Sequence, residues 1–137
     1  MVKYLVIANL VIYVWQSFAG AQKIIQIFGL TPAYVIGELF LWQLVTYLFL
    51  HGDFFHILFN MFALWMFGSE LERAWGSKEF LKFYLVTGVG AGLFSVALEP
   101  GSLIPTIGAS GSVYGILMAY GMMFPERYIY LYFLFPV

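Results

Sequence analysis

Four stretches of this sequence, Tyr4–Ala19, Phe54–Phe67, Phe80–Leu98 and Ser110–Phe124, carry a single charged side chain between them, Lys82. Runs this apolar read as membrane-crossing helices, because lipid offers the backbone no hydrogen-bond partner and a helix satisfies its own N–H and C=O groups. The rest of the chain agrees. Of its 137 residues, 63% are hydrophobic and only 9% are charged. A water-soluble domain of this size needs far more charge on its surface. The expected fold is an all-α polytopic membrane bundle, one domain over residues 1–137, with about four full transmembrane helices and the start of a fifth. The fifth would open at Tyr128–Phe135, eight residues before Pro136. A span takes about 20 residues, so the chain is expected to be truncated at its C-terminus.

Composition removes several function classes. The net charge is −1, which leaves no basic face for nucleic acid. There is no cysteine, hence no disulfide and no thiolate metal site. Met1-Val2-Lys3 followed by an apolar run resembles a signal peptide. Asn9 and Gln16 interrupt that run, and Ser17-Phe18-Ala19 is a poor cleavage site, so it is read as a retained helix.

The breaks between runs carry their own signals. Asp53 is placed to cap the second helix. Ser69 and Glu72 form an S-x-x-E capping box for a short polar turn after it. Pro100-Gly101 and Pro105 break the connection between the third and fourth helices, and Pro125-Glu126 ends the fourth. The segment Gly20–Gly52 holds the apolar stretch Leu39–Leu50, too short to cross straight and expected to lie partly submerged at the interface. With the N-terminus inside, Lys3, Arg73, Lys78, Lys82 and Arg127 fall on the cytoplasmic side and only Lys23 outside. The second and fourth helices then begin at the outer face.

Helix length places the chemistry. Ser110–Phe124 has 15 residues, about 22 Å of helix against a hydrocarbon core of about 30 Å. The serine end therefore lies roughly 8 Å below the outer surface, reached by non-helical backbone that must face protein or a water-filled cavity. Gly108-Ala109-Ser110-Gly111 sits at that point. Glycines admit close backbone approach, and a helix N-terminus offers free N–H groups to a developing anion. The pattern points to a serine nucleophile inside the membrane.

His56 and Asn60 lie one turn apart on one face of the second helix, at comparable depth. Both donate hydrogen bonds and suit an oxyanion hole, although a plain interhelical bond would also account for them. His51 precedes His56 by five residues. That is not zinc-protease spacing, no metal site is expected, and His51 is read as interfacial or structural. Gly88-x-Gly90-x-Gly92 lies mid-membrane with no preceding strand, so it is read as helix packing rather than a dinucleotide loop. Gly111, Gly115 and Ala119 form a small-residue stripe that would let another helix come close to Ser110. Tyr114 is one turn below Ser110, placed either to pack against a catalytic ring or simply to fill space. Glu70, Glu72 and Arg73 are far from this cluster and are expected to form salt bridges or caps.

Three stretches, Leu50–Asn60, Gly68–Ser77 and Gly108–Gly115, resemble the rhomboid family of intramembrane serine proteases, and the chain looks like a bacterial member. A bare G-x-S-G is weak; joined to H-x4-H-x3-N upstream in the second helix, it is specific. The resemblance covers the chain from about Phe28 onward. It implies a bundle of six or seven spans with Ser110 as nucleophile. His56 and Asn60 would be oxyanion donors, supported by Gly108, Ala109, Gly111 and Tyr114, the last stacking near the catalytic histidine. Gly20–Gly52 would be the large outer loop, and Glu72-Arg73 the structural turn after the second helix. The family's general base is a histidine on the sixth helix, which this chain does not reach, so these 137 residues are expected to be inactive alone. The implied reaction is acyl-enzyme hydrolysis of transmembrane segments of single-span proteins within the bilayer, with no cofactor. The alternative is a rhomboid-like protein that binds transmembrane clients without cutting them. A fragment of a broken-helix transporter is a third reading, which the lack of an inverted repeat disfavours.

Overall fold

The first helix, α1 (Val2–Ala19), ends where Gly20 takes φ 97°. That left-handed value suits a residue without Cβ and turns the chain into α2 (Ala21–Phe28). In this computed structural model, residues 1–126, 130–131 and 135–136 are described. Two short helices follow α2, α3 (Pro32–Gly37) and α4 (Gln43–Thr46), then a 3₁₀ turn at Tyr47–Phe49. The Gly20–Gly52 segment thus folds as short helical pieces rather than a further span, as the sequence suggests.

Asp53 has extended backbone, φ −154° and ψ 174°, and its Oδ1 accepts the His56 N–H at 2.8 Å. This N-cap starts α5 (Phe54–Ala63). The helix does not stop at Phe67. It continues through a π-helical segment, Leu64–Gly68, into α6 (Ser69–Trp75). Here the expected capping box fails. Gly68 before Ser69 is already helical and no side chain caps α6, so no helix begins there. Glu72 instead accepts from the Met1 amino group, the Val2 N–H and the Ser77 hydroxyl. Arg73 pairs with Glu70 at 2.8 Å, one of the salt bridges the sequence suggests. Gly76, at φ 89°, turns the chain into α7 (Ser77–Leu98).

Three helical stretches, Val2–Ala19, Phe54–Trp75 and Ser77–Leu98, are long and apolar enough to cross a membrane. The fourth, α8 (Ser110–Met123), has 14 residues, about 21 Å. Of the stretch expected to open a fifth helix, Tyr130–Leu131 pairs antiparallel with Phe135–Pro136. The remainder of Tyr128–Phe135, and Arg127, lie outside the described residues.

The main core gathers Ile57, Leu64, Leu71, Phe80, Tyr84 and Ile116 from α5 through α8. A second cluster, Leu30, Val35, Tyr47, Leu48 and Val96, pins the Gly20–Gly52 segment to α7. The packing of α7 against α8 depends on small residues. A methyl group placed on Gly111 would lie 2.6 Å from Ala91 Cβ, and one on Gly115 3.0 Å from Thr87. The Gly88 position is as crowded: its added methyl would sit 2.5 Å from Leu48 and 2.6 Å from the Ser112 hydroxyl. Both glycine stripes therefore serve close approach, the general device of membrane helix interfaces.

Of the non-helical segment before α8, only Gly108 and Ala109 are buried, while Leu103 and Ile104 are exposed, so the expected burial of this approach holds only at its last two residues. Backbone bonds tie the segment to the Gly20–Gly52 region. Leu30 and Thr106 exchange both backbone bonds, at 2.9 and 2.8 Å, and Ala33 donates to the Ser102 carbonyl at 3.0 Å. Gly108 donates to the Tyr47 carbonyl at 2.9 Å. The Tyr47 hydroxyl in turn donates to the Gly88 carbonyl at 2.5 Å. The Gly20–Gly52 segment is thus a clamp that holds the backbone just before Ser110.

Candidate active site

Ser110 is the first residue of α8, after Ala109 as N-cap and Gly108 at φ 117°. Val113 donates the first intrahelical bond, to the Ala109 carbonyl. The N–H groups of Ser110, Gly111 and Ser112 therefore precede the helical ladder and have no partner within it. The Gly108 N–H is already spent on Tyr47.

Glycine is required at 108 for two reasons. Its φ lies in the left-handed region, and its bare Cα faces His56. A methyl group there would lie 2.7 Å from both Nε2 and Cε1 of His56, and 3.5 Å from Ser110 Oγ. The Nε2 edge of His56 and the Ser110 hydroxyl therefore border one small volume. The structure brings together three residues that the sequence singles out: Gly108, Ser110 and His56.

The proton on His56 is assigned by its neighbour. Gly52 donates its backbone N–H to His56 Nδ1 at 3.3 Å. A neutral imidazole has one N–H, so an accepting Nδ1 places the hydrogen on Nε2. Towards Ser110, His56 then presents a donor and not a lone pair. That geometry suits anion binding and is wrong for a base.

Asn60 follows one turn down α5. It is buried, and its Nδ2 finds no acceptor among the described residues. A buried amide nitrogen without a partner costs roughly 1–3 kcal/mol, a cost that a bound acceptor would lift. Ser112, two residues after Ser110, is fully buried and donates to the Tyr84 carbonyl at 2.6 Å. Its hydroxyl is committed to holding α8 on α7. Tyr114 is 72% exposed among the described residues. Among the described residues it fills no interior space.

His51 is fully buried within the protein, which suits the structural half of the sequence reading. Its ring meets that of His56 edge-on, centroids 4.9 Å apart at 69°. Neither ring nitrogen has a well-aligned partner among the described residues. Burial, and then the neighbouring His56, push its pKa down to about 4, with the Phe49 carbonyl pulling the other way. It is neutral at ordinary pH. The described residues hold no group of three metal-ligating side chains.

One residue of this neighbourhood escapes the sequence reading. Gln16 of α1 is buried, donates to the His51 carbonyl at 2.7 Å and accepts from the His51 N–H at 3.3 Å. Its only signal in the sequence is a polar side chain in an apolar helix.

Residues 38–137 match the family model described as Rhomboid domain. The chain belongs to the rhomboid family. Among its relatives, Rhomboid protein 1, mitochondrial, of Saccharomyces cerevisiae is 37% identical over 93 residues, covering 65% of this chain and 27% of that protein. The Rhomboid protease GluP of Bacillus subtilis is 40% identical over 78 residues, 57% of this chain and 15% of that protein. Rhomboid-like protease 3 of Toxoplasma gondii is 26% identical over 119 residues, 83% of this chain and 44% of that protein. The chain thus spans less than half the length of these rhomboid relatives. With three apolar helices of spanning length, this rhomboid chain is an integral membrane protein. The matched region contains His51, His56, Asn60, Ser110 and Tyr114; Gln16 lies before it.

Proposed function

We propose that this chain carries the nucleophile and the oxyanion-binding half of an intramembrane serine endopeptidase. The observation that carries the reading is the shared volume at Gly108, bordered by Ser110 Oγ and by a histidine nitrogen whose hydrogen bonding makes it a donor. Ser110 attacks the carbonyl carbon of a scissile peptide bond. The carbonyl oxygen becomes an oxyanion, met by His56 Nε2–H, Asn60 Nδ2 and the free N–H of Ser110 at the head of α8. The tetrahedral intermediate collapses to an acyl-enzyme and expels the amine. Water then attacks the ester and releases the acid.

A serine hydroxyl is a weak nucleophile without a base. His56 is occupied as a donor, and His51 is buried behind it. The reading therefore takes its base from outside these 137 residues. The acyl-enzyme route calls for no metal or organic cofactor. The substrates are transmembrane segments of single-span proteins, reached within the bilayer from the outer face, with the N-terminus cytoplasmic. The distribution of Lys and Arg supports that orientation, and the relatives named as rhomboid proteases support the reaction class.

The test is cleavage of a model single-span substrate by the complete protein in membranes, beside Ser110→Ala. Loss of cleavage in the variant is expected; cleavage that survives it overturns the assignment. In a companion arm, the 137-residue chain alone should not label with a fluorophosphonate probe. Labelling at Ser110 would show that a base is already present.

A further inference from the structure

Gln16 spends both of its amide groups on the backbone of one residue. Its Nε2 donates to the His51 carbonyl at 2.7 Å, and its Oε1 accepts from the His51 N–H at 3.3 Å. Interhelical glue of the usual kind joins two helices. This amide instead holds a loop, and the loop has a task. The next peptide N–H along, that of Gly52, donates to His56 Nδ1. Gly52 is exposed and has no side chain with which to fix itself. The Gly52 amide is thus held between the Asp53 cap on one side and the Gln16 clamp on the other.

We propose that Gln16 is a positioning residue that fixes the tautomer of His56 by clamping the His51–Gly52 backbone. The proposal rests on the reading of His56 as an oxyanion donor. A neutral imidazole carries one proton and two nitrogens, and the group bonded to one nitrogen decides the state of the other. With Gly52 held, Nδ1 accepts and Nε2–H points at the Gly108 volume. With Gly52 released, the Nδ1–H form competes, and in that form Nε2 turns a lone pair towards the oxyanion. The penalty falls on the transition state, where the negative charge develops, and not on substrate binding.

Burial makes Gln16 costly unless both amide groups are paired. A methionine of similar length and flexibility would fill the same space and lose both bonds. The residue lies in α1, outside the region matched to the rhomboid model, 35 positions from the loop it holds.

The experiment uses the complete protein in detergent or bilayers, with ¹⁵N-labelled histidine and a cleavage assay. In the wild type, the His56 resonances should report a protonated Nε2 and an accepting Nδ1. In Gln16→Met they should shift towards the other tautomer, with kcat down about tenfold and KM within about twofold. Placed on His56→Ala, Gln16→Met should add less than about twofold, since two residues acting through one group are not additive. In Gln16→Glu, a protonated buried carboxyl can donate and accept as the amide does. Its His56 signature and its kcat should approach wild type at low pH and leave it as the carboxyl ionises. A folded Gln16→Met with an unchanged His56 tautomer overturns the proposal. So does a kcat loss that multiplies with that of His56→Ala. Should Gln16→Met not fold, a His56 signature in Gln16→Glu that is constant across pH overturns it equally. Cleavage surviving Ser110→Ala would remove the protease reading alone, because the tautomer is read without turnover.

Discussion

Ser112 donates its hydroxyl to the Tyr84 carbonyl at 2.6 Å, while Ser110, two residues earlier, stands beside the His56 ring. Two serines in one helical turn thus have separate work, and substitution should split stability from chemistry. Ser112→Ala removes one interhelical hydrogen bond, worth about 0.6–2 kcal/mol in a membrane protein. The thermal midpoint should fall while measurable cleavage remains. Ser110→Ala should leave the midpoint near wild type and abolish cleavage. The check is thermal unfolding beside the substrate assay; the opposite pattern would exchange the two assignments.

Asn60 offers a sharper separation. Its Nδ2 is buried without an acceptor among the described residues, so that the fold bears the cost of that donor. Asn60→Leu should therefore leave stability unchanged or raise it by about 1 kcal/mol. Cleavage should drop by about 10²-fold, the range for loss of one oxyanion donor. His56→Ala should cost at least as much in kcat. An Asn60→Leu variant that is destabilised yet fully active would make Asn60 a structural residue.

The spans, the Asp53 cap and the glycine stripes were legible because each depends on residues close in sequence or on a simple length. Composition and helix arithmetic reach that far. The capping box at Ser69 was not decided locally. S-x-x-E fits a helix start, but here Gly68 is already helical, and Glu72 turns to Met1, Val2 and Ser77 instead. Gln16 was illegible for the converse reason. Its partner is 35 residues away, and nothing in either stretch announces the contact. The tautomer of His56 depends on one backbone N–H and so has no signature in residue types at all.

His51 predicts a pH dependence of stability. Its pKa falls from 6.5 to about 4 on folding. Below pH 6.5 the unfolded chain takes up a proton that the folded chain refuses, so protons favour unfolding. The contribution of neutral His51 is fully present above pH 6.5 and is lost as pH falls towards 4. At about 1.4 kcal/mol per unit, the loss approaches roughly 3 kcal/mol by pH 4. His51→Phe keeps a buried ring and removes the titration. The midpoint of the wild type in detergent should fall between pH 6.5 and 4, and that of His51→Phe should fall distinctly less. Parallel curves for the two would show that His51 does not carry the effect.

The last prediction concerns the approach of α8 to α7 beside the nucleophile. A methyl group on Gly111 would meet Ala91 Cβ at 2.6 Å, closer than two carbons pack. Gly111→Ala must therefore push α8 away from α7, at a cost of about 1–3 kcal/mol for an overpacked contact. Because Gly111 follows Ser110 directly, the same displacement moves the hydroxyl from His56, and cleavage should fall with stability. Ala91→Gly removes the opposing methyl and restores the space. On its own it should cost about 0.5–1 kcal/mol, the usual penalty for glycine within a helix. Combined with Gly111→Ala it should recover most of the lost cleavage, so that the pair is strongly non-additive. The measurement is a double-mutant cycle read in both thermal midpoint and kcat. Simple additivity in both readouts would mean that the contact between Gly111 and Ala91 does not set the position of Ser110.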